Sequence, residues 1–387
     1  MSKQNGLLIF VLTIGVFGIL NTEMGIVGVL PLIADHFQVS ISKAGLLVSG
    51  FALAVAISGP VLPLLFSGIN RKKVMLLVLG VFILGNITTI FATNFNVALI
   101  ARVIPAFLHP VYVSIALTVA AASVSKEEVP KATSKVFMGV TGGMVLGAPI
   151  SSFIGNTTSI EMAMLFFTVV NAIAFIAIFL LIPSMPVKER LSYGSQLSVL
   201  KKLKTWLSLV AVIFLNAAMY GVSSYLAEYL ETITNIPGKT ISVMLFIFGG
   251  ASIIGNIVAG KLLTKNALRS VVSFPFVLGA VYIFLFLMGQ FTGPMALILF
   301  VFGIIVALGN NISQYWIMSA APEAPEFSNG LFLASGNLGV AMGTSVSGLV
   351  ISGMSTQSIV WVGFLCLIMS LVLILLRTHL NNPKRRF

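Results

Sequence analysis

Polar side chains are confined to short intervals of this chain, and between them run apolar stretches of about twenty residues, the length a helix needs to cross roughly 30 Å of hydrocarbon. Twelve such stretches predict twelve helices, at approximately 7–32, 44–66, 74–93, 97–122, 136–156, 162–183, 206–230, 241–262, 271–290, 295–318, 330–352 and 359–376. Runs this long exclude a barrel, whose strands alternate over about ten residues. The opening "MSKQNGLLIF" has the short basic start of a signal peptide. Its apolar run continues too far for one, however, and no small-residue cleavage site follows, so it is expected to remain as span one.

Composition agrees with this pattern. With 58% hydrophobic and 8% charged residues, the chain lacks the polar groups needed to cover a water-soluble surface. The net charge of +12 has no polar domain or tail to concentrate it, which argues against nucleic acid as a partner. It sorts by side of the membrane instead. If the N-terminus is cytoplasmic, Lys43 and Lys239 fall in outside loops, Arg102 lies within a span, and the other nineteen of the 22 Lys and Arg residues face the cytoplasm. Both termini are therefore expected inside. Cys366 is the only cysteine, so no intramolecular disulfide forms. The scarcity of His and Cys argues against a metal site, a cofactor or an enzyme active site in the bilayer.

The longest connection, residues 184–205, is polar and basic, and divides the chain into a half at 1–183 and a half at 206–387. The halves resemble one another. "KEEVPKATSKVFMGVTGGMVLGAP" from Lys126 matches "APEAPEFSNGLFLASGNLGVAMGT" from Ala321 in the spacing of prolines, aromatics and glycines. "ISGPVLPLLFSGINRKK" from Ile57 falls over "IIGNIVAGKLLTKNALR" from Ile253. Duplicated six-helix halves are the architecture of transporters that work by rocking around a midplane site.

These residues carry a family resemblance over the whole chain. "NTEMGIVGVLPLIADHFQVSISKAGLLVSGFALAVAISGP" is similar to the first two spans of the arabinose-efflux-permease group of twelve-span drug:proton antiporters, in the major facilitator superfamily. "ARVIPAFLHPVYVSIALTVAA" is similar to its fourth span and "GVTGGMVLGAPISSFIG" to its fifth. The resemblance implies an all-α membrane protein of two pseudo-symmetric six-helix halves. It also implies export of a sugar, purine or amphipathic drug-like compound in exchange for protons. Gly139, Gly143, Gly147 and Pro149 match the family's antiporter motif. The loop after span two departs from the family pattern, with Ser67 where an Asp is usual and Asn70 where a glycine is usual. Arg71 and Lys72, with Arg269 in the second half, remain either to close a cytoplasmic gate on neighbouring helix ends, whose carbonyls attract cations, or only to anchor the cytoplasmic side by their charge.

The candidate chemistry sits mainly in the first half. Glu23 lies about sixteen residues into span one, roughly 24 Å from the cytoplasmic end. An acid at that depth is costly unless it faces water or a cation, and intramembrane acids are functional by default. Arg102 enters span four to a similar depth. His109, seven residues on, returns to nearly the same face and is the side chain whose ordinary pKa lies near working pH. Glu23, Arg102 and His109 are the expected proton-coupling group, the competing readings being a Glu23 bonded to a neighbouring helix, an Arg102 that only bonds carbonyls near the outer interface and a His109 that only packs; Asn21 on span one is read with the substrate contacts. Pro105 and Pro110 are expected to kink the helix there. The polar positions of the second half are neutral: Asn216, Tyr220 and Tyr225 in span seven, and Asn310, Asn311 and Gln314 in span ten. They are read as substrate contacts, with helix-to-helix hydrogen bonding as the competing reading. The expected protein is a monomeric proton-coupled exporter of the plasma or inner membrane. An uncoupled facilitator or a proton symporter of a small polar metabolite is the alternative.

Overall fold

The structure, a computed structural model, describes residues 3–125, 128–187 and 194–380. Lys126, Glu127, Lys188, Arg190, Lys384, Arg385 and Arg386, which entered the charge count or the repeat, lie outside the described residues, as does part of the 184–205 connection. Among the described residues there are sixteen α-helices and no strand. In chain order they are α1 (Lys3–Gly28), α2 (Leu30–Phe37), α3 (Ile41–Ala44), α4 (Leu46–Ser58), α5 (Leu62–Phe66), α6 (Arg71–Ile90), α7 (Phe95–Ala106) and α8 (His109–Ala122). Then come α9 (Val129–Thr157), α10 (Ile160–Leu181), α11 (Leu203–Ser223), α12 (Leu226–Thr232), α13 (Gly238–Met288), α14 (Thr292–Met318), α15 (Pro325–Gly353) and α16 (Ile359–Leu380).

The apolar runs account for these helices once the breakers are placed. Spans one, two, four and seven are each divided. Pro31, Pro63 and Pro110 occupy the first turns of α2, α5 and α8, where the missing N–H leaves no helical bond unmade and φ is already set. The opposite case is α13, whose 51 residues would extend about 77 Å, more than twice the hydrocarbon thickness. Asn266 interrupts it with φ −161° and ψ 87°, and the Asn266 side chain accepts a bond from the Arg269 N–H at 3.0 Å. That is an N-cap, so α13 is two spans joined by a minimal turn. The eleven helices long and apolar enough to cross a membrane among the described residues thereby supply twelve crossings, as the sequence predicts.

The chain gathers into two compact units, Met1–Val39 with Ile57–Ser192 and Ser40–Ala56 with Tyr193–Phe387. In the first, α1 packs most extensively on α9. Gly139, Gly143 and Gly147, one turn apart on α9, present bare backbone to α1. A methyl group on Gly139 would run into the Thr13 carbonyl, and one on Gly143 would meet the Phe17 carbonyl and the Asn21 amide. The second unit repeats this joint. Gly339 and Gly343 of α15 lie against the carbonyls of Ile213 and Ala217 of α11, where a methyl group would again strike main chain. Residues 40–56 pack in this unit, with Gly45 and Gly348 both close to the Tyr225 hydroxyl.

Candidate functional site

In the first unit the break between α7 and α8 sets the site. Pro105 near the end of α7 and Pro110 in the first turn of α8 leave Phe107 and Leu108 as a joint, and His109 opens the new helix. Arg102 is held one turn before the joint. Glu23, Arg102 and His109 are all buried, at 9%, 7% and 6% exposure, so the three side chains predicted from scattered positions share one apolar interior. Glu23 Oε2 lies 3.6 Å from His109 Nε2, the distance of an ion pair when the imidazole is protonated.

Arg102 behaves differently from a simple counter-ion. Its Nη2 donates to the main-chain carbonyls of Thr22 at 3.0 Å and of Glu23 at 2.8 Å. A carbonyl oxygen has two lone pairs, so these bonds add to the helix's own ladder and tie α1 to α7 by backbone. The guanidinium charge still acts on the Glu23 carboxylate. A second tie comes from α10. Asn171 Nδ2 reaches the Gly18 carbonyl, Thr22 Oγ1 and the Phe167 carbonyl, and Thr22 Oγ1 itself donates to Gly18 O at 2.9 Å. Residues 18–23 of α1 are therefore fastened from two sides while the Glu23 side chain is left to face His109.

Around this clamp several buried polar atoms lack a hydrogen-bond partner among the described residues: both amide atoms of Asn21, Glu23 Oε2, Tyr112 Oη and Asn171 Oδ1. An orphaned buried group costs about 1–3 kcal/mol, so a cluster of them is a place where the fold leaves hydrogen-bonding capacity for something else. Asn171, Thr22 and Tyr112 were missed from the sequence. The available signal was a lone Asn in an apolar span, and a Tyr one turn after His109.

The second unit is wired otherwise. Asn216 Nδ2 donates to Val212 O at 2.9 Å and to Ser313 Oγ at 3.3 Å, joining α11 to α14. Tyr225 Oη donates to the Thr344 carbonyl at 3.1 Å. Tyr220 and Asn310 bond each other at 3.1 Å, Asn311 donates to Asn256 at 2.7 Å, and Gln314 donates to Asn329 at 3.4 Å. Of the residues expected at a cytoplasmic gate, Lys72 Nζ donates to the Phe179 carbonyl at 2.9 Å in the last turn of α10 and sits 5.6 Å from the Phe179 ring centre. The Arg71 amide bonds the Met185 carbonyl, and Arg269 is exposed at the start of the second span of α13. Gly139, Gly143, Gly147 and Pro149 are all buried in α9.

Twelve helical crossings, a duplicated glycine joint and a polar interior built from side chains on several spans define a multi-pass membrane transporter. Comparison with known proteins gives the family. The model of the Major Facilitator Superfamily matches residues 12–332 and 209–387, and the chain belongs to that superfamily. It is 30% identical over 386 residues to an uncharacterized MFS-type transporter of Bacillus subtilis, YtbD, covering 96% of this chain and 95% of that one. It is 26% identical over 360 residues to a probable sugar efflux transporter of Helicobacter pylori, covering 92% and 91%. Among solved structures, a point mutant of the nucleoside transporter NupG superposes with a TM-score of 0.79 at 14% identity, over 98% of this chain and 100% of that one, which is a likeness of fold. The protein is a transporter and not an enzyme.

Proposed function

We propose that this transporter is a proton-coupled exporter, exchanging an inward proton for an outward-moving small polar or amphipathic molecule of sugar-like size. The observation that carries the reading is the Glu23–His109 pair: two titratable groups, buried 3.6 Å apart, beside an arginine whose Nη2 bonds the backbone of α1. The pair offers adjacent places for one proton, and rocking of the halves would expose them to one side and then the other. A proton entering down a membrane potential releases about 2.3 kcal/mol per 100 mV, which drives the export half of the cycle.

The direction and the sugar-like class rest on the resemblance to the Helicobacter relative and on the glycine motif of α9. Asn21 in the first half and Tyr220, Asn310, Asn311 and Gln314 in the second are assigned to the substrate. They are neutral amides and a phenol, suited to hydroxyl-bearing ligands rather than ions. Asn216 and Tyr225 are assigned to the substrate with them. The excess of basic residues in alternate loops assigns both termini to the cytoplasm, with Arg71, Lys72 and Arg269 gating that side and 184–205 linking the halves. The chain works as a monomer in the cell membrane.

The test is flux in proteoliposomes. A ligand-stabilisation screen over sugars, purines and common antibiotics identifies a substrate, whose transport is then measured with and without an imposed pH gradient. Gradient-driven accumulation is expected for the natural chain and its loss for Glu23→Gln. Equal flux with no gradient would leave an uncoupled facilitator in which Glu23 is part of a gate.

A further inference from the structure

Unpartnered polar atoms are few in the second unit, and they concentrate at one end of it. Among the described residues, Thr205 Oγ1, Trp316 Nε1 and Arg377 Nε are buried without a hydrogen bond, and the other such atom in the unit is Ser347 Oγ. The three residues are 1%, 5% and 3% exposed and come from three helices, α11, α14 and α16.

They meet. Ser370 Oγ of α16 donates to the Ala211 carbonyl of α11, and seven residues further along in opposite directions Lys204 lies within electrostatic reach of Arg377, so the first turn of α11 faces the last turn of α16. The Arg377 guanidinium stacks 3.7 Å over the Trp316 ring, donates from Nη1 to the Trp316 carbonyl at 2.6 Å and from Nη2 to Ser319 Oγ at 2.8 Å. Capping the end of α14 accounts for those two nitrogens. It leaves Arg377 Nε and Trp316 Nε1 unexplained.

The chemistry of the remainder is one-sided. Arginine and indole N–H groups only donate, and the Thr205 hydroxyl can donate as well. Two cations, Arg377 and Lys204, stand beside them, and the neighbouring acid, Glu323, is engaged by Lys202. A ligand that satisfies such a set is anionic and rich in acceptors. A tryptophan and an arginine at helix ends also mark the depth at which lipid headgroups lie.

We infer that the end of the second unit where α11 begins and α14 and α16 finish is a phosphate-type oxyanion site, formed by Thr205, Trp316 and Arg377 with Lys204 in support. The phosphate belongs to the headgroup of an anionic phospholipid or to a free phosphate, and one experiment separates them. The thermal midpoint of the full chain in detergent is followed while phosphatidylglycerol, phosphatidylcholine or inorganic phosphate is titrated in. Trp316→Phe keeps the stacked ring and deletes the Nε1 donor, and Thr205→Val keeps the shape and deletes the hydroxyl. Each removes an orphaned atom, so both variants are expected to fold.

The expected result is a saturable rise in midpoint whose half-saturation weakens about tenfold in each variant, the loss of one hydrogen bond to a charged group. A rise with phosphatidylglycerol alone supports the site and assigns it to a headgroup. A rise with inorganic phosphate as well supports it as a free oxyanion pocket. No rise with any of the three, or a rise unchanged in both variants, overturns the proposal and leaves these atoms to an internal water only.

Discussion

The two glycine joints and the polar groups beside them invite comparison. In both units a bare stripe, Gly139, Gly143 and Gly147 on α9 or Gly339 and Gly343 on α15, lets a partner helix approach to main-chain contact. The scaffold is the same twice. The side chains it brings inward are not. On α1 the neighbours are an acid and an amide without hydrogen-bond partners at Glu23 Oε2 and Asn21, whereas on α11 Asn216 is bonded to both a carbonyl and a hydroxyl. A satisfied polar group specifies architecture, while an unsatisfied one is kept at a cost of about 1–3 kcal/mol and calls for another use. The difference teaches that the duplicated backbone and the chemistry it carries are separable.

The sharpest test of that separation is Glu23→Gln. Gradient-driven flux is expected to fall at least about a hundredfold, the usual effect of removing an acid–base group, while Tyr220→Phe in the second unit changes apparent substrate affinity and leaves the dependence on pH gradient intact. If Tyr220→Phe abolished the gradient dependence too, the chemistry would not be confined to the first unit. Next in size, Gly143→Leu and Gly339→Leu should each lower the thermal midpoint by an amount equivalent to about 1–3 kcal/mol, because both force a side chain into main chain. A strong effect at one and none at the other would break the equivalence of the joints.

A third pair of substitutions has opposite signs. Asn216→Leu should destabilise by about 1–3 kcal/mol because it strands the bonds to Val212 and Ser313, whereas Asn21→Leu, which removes two orphaned atoms, should be neutral or stabilising and still slow transport. Denaturation midpoints and flux on the same preparations give both readings. The smallest effect belongs to the exposed Lys202–Glu323 pair. The hydrogen bond from Lys202 holds the Glu323 carboxyl below its ordinary value. Its contribution is therefore fully present above the ordinary carboxylate range and lost as pH falls through the lowered value. Lys202→Ala should shift the midpoint barely measurably, and only at low salt and neutral pH.

How much of this was legible in the sequence follows from which physics left a mark on it. The spans were legible because crossing hydrocarbon demands long apolar runs, and even the 51-residue α13 was divided in advance by its polar stretch around Asn266. Glu23, Arg102 and His109 stood out because charge is rare at such depth. That Arg102 bonds carbonyls was legible as one of two readings, but which carbonyls, those of residues 22 and 23, was not, because backbone leaves no trace in a residue pattern. Asn171 and Thr22 were hidden for a related reason: a single amide or hydroxyl in an apolar run is equally compatible with packing. Arg377 entered the sequence reading as one more positive charge near a helix end, and only the stack on Trp316 distinguishes it from the others.

The anchoring of α1 by its carbonyls has one more consequence. Every amino acid supplies the same carbonyl, so the fastening of residues 22 and 23 to Arg102 is indifferent to which side chain stands at position 23. The helix joint and the ion chemistry can therefore be exchanged independently. Within such a frame a lineage can trade the carboxylate at position 23 for an amide or an imidazole and leave the fastening of α1 to α7 in place.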